Sequence, residues 1–294
     1  MAGADTPAGP ILVIGRSGQL ATALARSGHP GLRCLGRPDL DFDRPETLDA
    51  ALTAAEPGLV INAAAWTAVD AAEDDVAGAT RANRDGPALL AALCAERAIP
   101  LVHVSTDYVF DGSKGAPYVE TDPTAPRTVY GRSKAEGEQA VLAAHGRAII
   151  LRTAWVYSPY GRNFVRTMLT AGAKHPVLRV VGDQHGNPTS AEDLAEAILA
   201  IAGRIARDGW HDAFAGIFHA AGSGATTWHG LATATLQHAA RPGRPMPQVT
   251  AIATADWPTP APRPQDSRLD CARLEQVFGI RLPHWQNSVA RTVA

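Results

Sequence analysis

The sequence predicts an α/β fold, a doubly wound parallel sheet with a smaller C-terminal α/β part. Three observations predict it. Between Ile11 and Arg152 short apolar runs alternate with longer segments of helical spacing, the pattern of repeated strand–helix–strand units. The first of these runs passes straight into a turn in which Gly15, Gly18 and Ala21 are spaced by three. The chain has 294 residues, 46% hydrophobic and 19% charged, which is enough to bury a large core.

In chain order, strands are expected at Ile11–Ile14, Leu32–Leu35, Leu59–Asn62, Leu101–Ser105 and Ala148–Arg152, each a short apolar run. Helices are expected to start near Gly18, Pro45, Asp70, Gly86 and Tyr130. Beyond Arg152 the alternation becomes irregular, and the proline-rich stretch from Arg241 to Pro264 is expected to be loop. No internal repeat or low-complexity linker separates the halves, so the second is expected to pack directly on the first.

Lys plus Arg number 27 and Asp plus Glu 29, a net charge of −2. No positive field therefore draws the chain to nucleic acid or anionic lipid, and small-molecule partners are expected. Three scattered cysteines, Cys34, Cys94 and Cys271, fit buried thiols in a reducing cytosol better than a disulfide framework. No stretch approaches the ~20 apolar residues of a membrane span, and the N-terminal residues lack a signal-peptide core. A soluble, cytoplasmic protein is expected, either monomer or homodimer.

A glycine turn between a buried strand and a helix suits a pyrophosphate, because the backbone approaches closely and the helix N–H groups attract the anion. A plain strand-to-helix turn is the alternative. Gly36 and Arg37 follow the second strand where an acid would favour a free ribose hydroxyl, and Arg16 lies in the turn. Two guanidiniums favour the 2′-phosphate of NADPH, with NADH possible and solvated surface arginines the other reading.

Tyr130 and Lys134 lie four apart at the start of a helix and so share one face. A neighbouring ammonium would lower the phenol's pKa and make its hydroxyl a usable proton donor or acceptor. Ser105 and Thr106 end the fourth strand, where open parallel sheets bind ligands, and either hydroxyl would help to hold a carbonyl. A structural pair on a helix surface and a turn-capping hydroxyl are the competing readings.

These features, with Gly15-Arg-Ser-Gly-Gln-Leu20, Asn62-Ala-Ala-Ala-Trp-Thr-Ala-Val-Asp70, Ser105-Thr-Asp-Tyr-Val-Phe-Asp-Gly112 and Val129-Tyr-Gly-Arg-Ser-Lys134, resemble the Rossmann-type extended short-chain dehydrogenase/reductases. Arg152-Thr-Ala-Trp-Val-Tyr157, Asp183-Gln-His-Gly-Asn-Pro-Thr189 and Arg263-Pro-Gln-Asp-Ser267 extend the resemblance to the family that reduces dTDP-4-dehydrorhamnose. It covers nearly the whole chain. It implies residues 1–150 as a dinucleotide-binding domain, to which some later segments return, and residues 151–294 as mainly a sugar-nucleotide domain.

The resemblance further implies Thr106, Tyr130 and Lys134 as the catalytic trio, with Thr106, Asp107 and Trp155 touching a dTDP-sugar. For the cofactor it implies Gly15, Arg16, Ser17, Gly18, Gln19 and Leu20 at the pyrophosphate, Arg37, Asp41 and Phe42 on the adenine side, and Ala63, Ala64, Ala65 and Thr67 after the third strand. Tyr130 and Lys134 also meet the cofactor. A core aromatic is the alternative for Trp155. Some members dimerise through magnesium held by an acid on the first helix, but Gln19 to Arg26 carries none, so no metal is expected. Asp266 stands where the family commonly has Asn.

Two further function classes are compatible with such a fold: a dehydratase or epimerase recycling its own NAD, which Tyr108 in place of an acid after Asp107 disfavours, and a non-catalytic NADP-binding regulatory subunit like that of methionine adenosyltransferase. The acids Glu73 to Asp75 read as a solvated face, Tyr118 to Asp122 as a surface loop over the entrance, and His185 as a histidine that could approach a substrate phosphate.

Overall fold

Ile11, Leu12, Val13 and Ile14 are all fully buried, which requires a strand paired on both edges and covered on both faces. The computed structural model, which describes residues 9–240 and 246–294, provides both. Residues 1–8, and residues 241–245 of the proline-rich stretch, lie outside the described residues. The central sheet contains Ile11–Ile14 (β1), Leu32–Leu35 (β2), Leu59–Asn62 (β3), Leu101–Thr106 (β4), Ala148–Thr153 (β5) and a sixth strand, Gly216–His219. All pair in parallel, in the order sixth strand, β5, β4, β3, β1, β2.

Side chains alternate across this sheet. Ile11, Val13, Ile61, Val102 and Leu151 face one core, closed by helix Gln19–Arg26 and by Leu194, Ile198 and Ile201 of helix Ala191–Asp208. Leu12, Ile14, Val60 and Ile150 face the other, against Leu48 and Leu52, Leu90 and Cys94, and Val141 of helices Glu46–Ala55, Gly86–Glu96 and Val129–Ala144. The second half of the chain thus contributes a strand to the sheet and a helix to one face.

Three two-stranded ribbons lie outside the sheet: Val177–Val181 with Gln248–Ile252, Val156–Tyr157 with Thr189–Ser190, and His185–Gly186 with Thr226–Thr227. The strand Gln248–Ile252 overturns the expectation of loop from Arg241 to Pro264. Prolines flank it at Pro247 and Pro258 but do not enter it, so its ladder to Val177–Val181 is intact.

One other expectation is corrected. Tyr118 is buried and stacked on Phe110 at 4.1 Å, its backbone pairs with Arg268 and Asp270, and Glu120 accepts the His219 backbone N–H. The Tyr118 segment is a brace between distant parts of the chain, not a surface loop. Of the acids Glu73 to Asp75, Asp74 and Asp75 are exposed, as expected of a solvated face, although two of the three and the nearby Asp70 also have structural partners. Glu73 accepts the Val129 backbone N–H, Asp75 caps Val76–Thr80 through Gly78 N–H, and Asp70 pairs with Arg263 at 2.7 Å. Among the described residues no helix is long and apolar enough to cross a membrane.

Beneath the carboxyl ends of β4 and β5, Arg152 and Glu138 form a buried two-pronged ion pair, with Nε at 2.9 Å and Nη2 at 2.6 Å from the carboxylate. Ser105 donates to the same carboxylate at 2.5 Å. Removing one partner strands a charge in a low-dielectric interior. Arg152→Met is expected to cost about 3–5 kcal/mol in urea unfolding, and pairing it with Glu138→Leu should recover most of that loss.

Candidate active site

Where the strand order reverses, β1 and β3 lead their following loops apart and open a crevice at the sheet's carboxyl edge. Gly15 forms the first wall. Its φ of +132° lies where L side chains are strained, and an added Cβ would crowd Ala63 at 3.4 Å. Gly18 caps Gln19–Arg26 with no side-chain bond and faces open space, which leaves the first N–H groups of that helix free for an anion.

Two cavities meet here. One of about 700 Å³ is lined by Gly15, Arg16, Ser17, Gly18, Arg37, Asp41, Phe42 and Ala63 to Ala65. The other, of about 550 Å³, is lined by Ser17 to Leu20, Thr67, Thr106, Asp107, Tyr130, Lys134 and Trp155. Ser17, Gly18, Ala63 and Ala65 belong to both, so the expected catalytic trio, cofactor residues and sugar contacts line one continuous groove. At its rim Arg16 pairs with Asp39 at 3.3 Å, and Arg37 with Asp41 and Asp43 at 2.9 and 2.8 Å. Gln19 spends its amide on structure, donating to the Val156 carbonyl and accepting from Ser158.

The opposite wall is helix Val129–Ala144, capped by Thr128 through the Gly131 N–H at 2.9 Å. It lies unusually close to its neighbours. A Cβ on Gly131 would sit 2.2 Å from the Tyr108 carbonyl oxygen, and one on Gly137 would sit 2.0 Å from that of Asn83. The Asn83 side chain bonds both backbone groups of Trp66 and the Ser133 hydroxyl, tying the loop after β3 to this helix.

The helix presents Tyr130 and Lys134 to the groove, and Lys134 Nζ donates to the Val104 carbonyl at 2.7 Å. Burial pulls Lys134 down to about 8, with Glu138 acting the other way. Burial pushes Tyr130 up to about 12, Thr106 pulling it back by a hydrogen bond and Asp107 adding to the rise. This corrects the expectation that the ammonium lowers the phenol. The lysine amine is engaged by Val104 and His103, and desolvation dominates. The phenol therefore stays protonated at neutral pH.

Burial also pushes Asp107 up to about 6, partly offset by the nearby Ser267 hydroxyl and by the hydrogen bond from Thr106 at 3.1 Å. Asp107 Oδ2 and Thr153 Oγ1 are buried without a partner among the described residues, and both side chains belong to the groove wall. Trp155 adopts a φ of +48°, stacks on Trp228 at 3.6 Å, and leaves no room for a Cβ on Gly186.

Thr153, Arg162, Asn163 and Trp228 line the groove although sequence reasoning did not single them out. They come from separate segments of the second half, and only the Thr-Thr-Trp start of helix Trp228–His238 offered a local signal. His185 is exposed, its backbone pairing with Gln265 and Ser267, and it does not line the groove. Arg268 holds Asp266 from two nitrogens, at 2.8 and 2.6 Å.

A family model described as RmlD substrate binding domain matches residues 9–294. The chain is 45% identical over 286 residues to dTDP-4-dehydrorhamnose reductase of Sinorhizobium fredii, covering 96% of each. It belongs to the dTDP-4-dehydrorhamnose reductase family. A probable dTDP-4,6-dihydroxy-2-methyloxan-3-one 4-ketoreductase of Streptomyces antibioticus is also similar, at 42% identity over 95% of this chain and 92% of that one. Among solved structures, a dTDP-4-dehydrorhamnose reductase of Clostridium acetobutylicum matches at 34% identity with a TM-score of 0.88, covering 97% of this chain and 98% of its own. One from Bacillus anthracis, in complex with NADP, matches at 29% identity and a TM-score of 0.89 over the same shares.

The raised pKa of Asp107 has a thermodynamic consequence. Its folded value, about 6, exceeds the unfolded 3.8, so its contribution is fully present below that value and is lost as pH rises through 6. The full swing is about 2–3 kcal/mol. Asp107→Asn is expected to unfold at higher urea than the parent at about pH 8 and nearly with it at about pH 4, as read by denaturation midpoints.

Proposed function

We propose that the chain reduces the C4 ketone of dTDP-4-dehydro-6-deoxy-L-mannose to dTDP-L-rhamnose with NADPH. The observation that carries this reading is the buried Tyr130 phenol, set with Thr106 and Lys134 in a groove continuous with an uncapped glycine turn. The names of the relatives support it, since the Sinorhizobium and Streptomyces proteins are both named for 4-ketone chemistry on dTDP-bound substrates.

The glycine turn would hold a dinucleotide, with Gly15, Ser17 and Gly18 available to its pyrophosphate, Arg16, Arg37, Asp41 and Phe42 to its adenosine, and Ala63, Ala64, Ala65 and Thr67 lining the rest of the site. Bound there, NADPH supplies hydride to the ketone carbon. Tyr130 donates its proton to the C4 oxygen as negative charge develops. Thr106 orients the carbonyl and, through its hydrogen bond, favours the phenolate left on Tyr130, and Lys134 would hold the nicotinamide ribose. The unpartnered oxygens of Asp107 and Thr153 match hydroxyls of a sugar, and Trp155 with Trp228 forms a flat wall for its ring. In this reading residues 1–150, with helix Ala191–Asp208 and strand Gly216–His219 returning to them, bind the dinucleotide, and the rest of 151–294 mainly binds the sugar nucleotide.

Incubation of the purified chain with the 4-keto sugar nucleotide and NADPH should consume the reduced-cofactor absorbance. Tyr130→Phe is expected to lower kcat by ~10²–10⁴ while cofactor binding is retained; equal rates would end the assignment. Arg37→Ala should raise KM for NADPH about tenfold and leave KM for NADH unchanged. No effect on either cofactor would instead make Arg37 a solvated surface residue.

A further inference from the structure

Behind the Tyr130–Lys134 pair three buried polar side chains form a chain of hydrogen bonds. Asn62 ends β3, His103 lies within β4, and Lys134 reaches them from its helix; all are at most 1% exposed. The Ala64 backbone N–H donates to Asn62 Oδ1 at 3.1 Å, which fixes the amide's orientation. Asn62 Nδ2 therefore faces His103 Nδ1, at 2.9 Å, as a donor. A neutral imidazole that accepts at Nδ1 carries its proton on Nε2, and Nε2 lies 3.3 Å from Lys134 Nζ. An ammonium has three donors and no acceptor, so this arrangement is satisfied only when Lys134 is an amine. The amine can still donate to Val104.

Protonating Lys134 puts two donors face to face unless the imidazole moves its proton to Nδ1. Nδ1–H then needs an acceptor, which Asn62 supplies only by turning its amide over, at the expense of the bond from Ala64. We propose that Asn62 and His103 are positioning residues that couple the protonation of Lys134 to the imidazole tautomer, Nε2–H with the amine and Nδ1–H with the ammonium. This deepens the reductase reading and rests on it for the importance of Lys134. Ala64 lines the adenine-side cavity, so the relay also ties the cofactor loop to the lysine.

The surrounding charges leave room for such a coupling. Glu138, one turn along the same helix, favours the ammonium, but Arg152 from β5 holds that carboxylate on two sides. Tyr130 on the same helix stays neutral, and Asp107 at the end of β4 acts on Tyr130 rather than on Lys134. Burial and Lys134 keep His103 well below the usual histidine range, so the ring changes tautomer rather than charge.

The chain has only three lysines, Lys114, Lys134 and Lys174, so ¹³C-lysine labelling gives three side-chain signals to titrate in the intact protein. Two-bond ¹H–¹⁵N spectra of histidine-labelled protein report the His103 tautomer, assigned through His103→Gln. Lys134 is expected to titrate near pH 8, below the other two, and His103 to exchange Nε2–H for Nδ1–H with the same midpoint. Asn62→Asp, nearly isosteric, offers Nδ1 an acceptor at every pH. It should pin the Nδ1–H tautomer and raise the Lys134 midpoint by about one unit or more. A tautomer that stays constant through the lysine titration, or a Lys134 that titrates with Lys114 and Lys174, overturns the coupling. Coupled titration in a chain that reduces no ketone would leave the relay standing and sink the reductase reading.

Discussion

The site depends on how closely helix Val129–Ala144 can lie against the end of the sheet. Lys134 reaches the Val104 carbonyl and His103 only because the helix backbone comes to within the space of a missing Cβ at Gly131 and Gly137. Close approach excludes water, and exclusion of water sets the chemistry of each group along that face. It pushes the phenol of Tyr130 and the carboxyl of Asp107 up and draws the Lys134 amine down, so neutral forms are favoured at all three. A protonated phenol, a lysine of lowered basicity and a carboxyl of weakened acidity follow from one packing constraint rather than from three separately tuned residues.

The same exclusion explains why some chemistry was legible in the sequence and some was not. The spacing of Tyr130 and Lys134 correctly placed both side chains on one face, because helical periodicity is a local property. Their electrostatic relationship was not local. A phenol beside an ammonium in water would be acidified, but here the lysine is turned to a backbone carbonyl and an imidazole that belong to β4. His103 read as one polar residue within an apolar strand, and nothing near it in sequence identified Asn62 or Lys134 as its partners.

Fold legibility followed a similar line. Strands β1 to β5 were readable because each is a short apolar run between turns, and residues buried on both faces have no polar alternation to obscure them. The sixth strand, Gly216–His219, and helix Ala191–Asp208 rejoin the first half after a long excursion, and that return is set by the two faces of the sheet rather than by any motif. The groove residues Thr153, Arg162, Asn163 and Trp228 belong to the same class of information. They converge from separated segments through packing, and the strand Gln248–Ile252 shows that proline content marks the borders of an element better than its absence.

Strain and unsatisfied polarity occur in the scaffold as well as in the groove, since Arg152 Nη1 and His219 Nε2 are also buried without partners among the described residues, and Glu56 and Ala98 share a positive φ. The polar scaffold is largely closed: the Glu138 carboxylate is held by Arg152 and Ser105, and Asn83 bonds at three points. Across the groove, Asp107 Oδ2 and Thr153 Oγ1 lack partners among the described residues, and Trp155 occupies a backbone conformation that costs on the order of 1–3 kcal/mol. A polar ligand seated against Trp155 would satisfy both oxygens at once, so the same atoms that weaken the unliganded chain would favour the bound one.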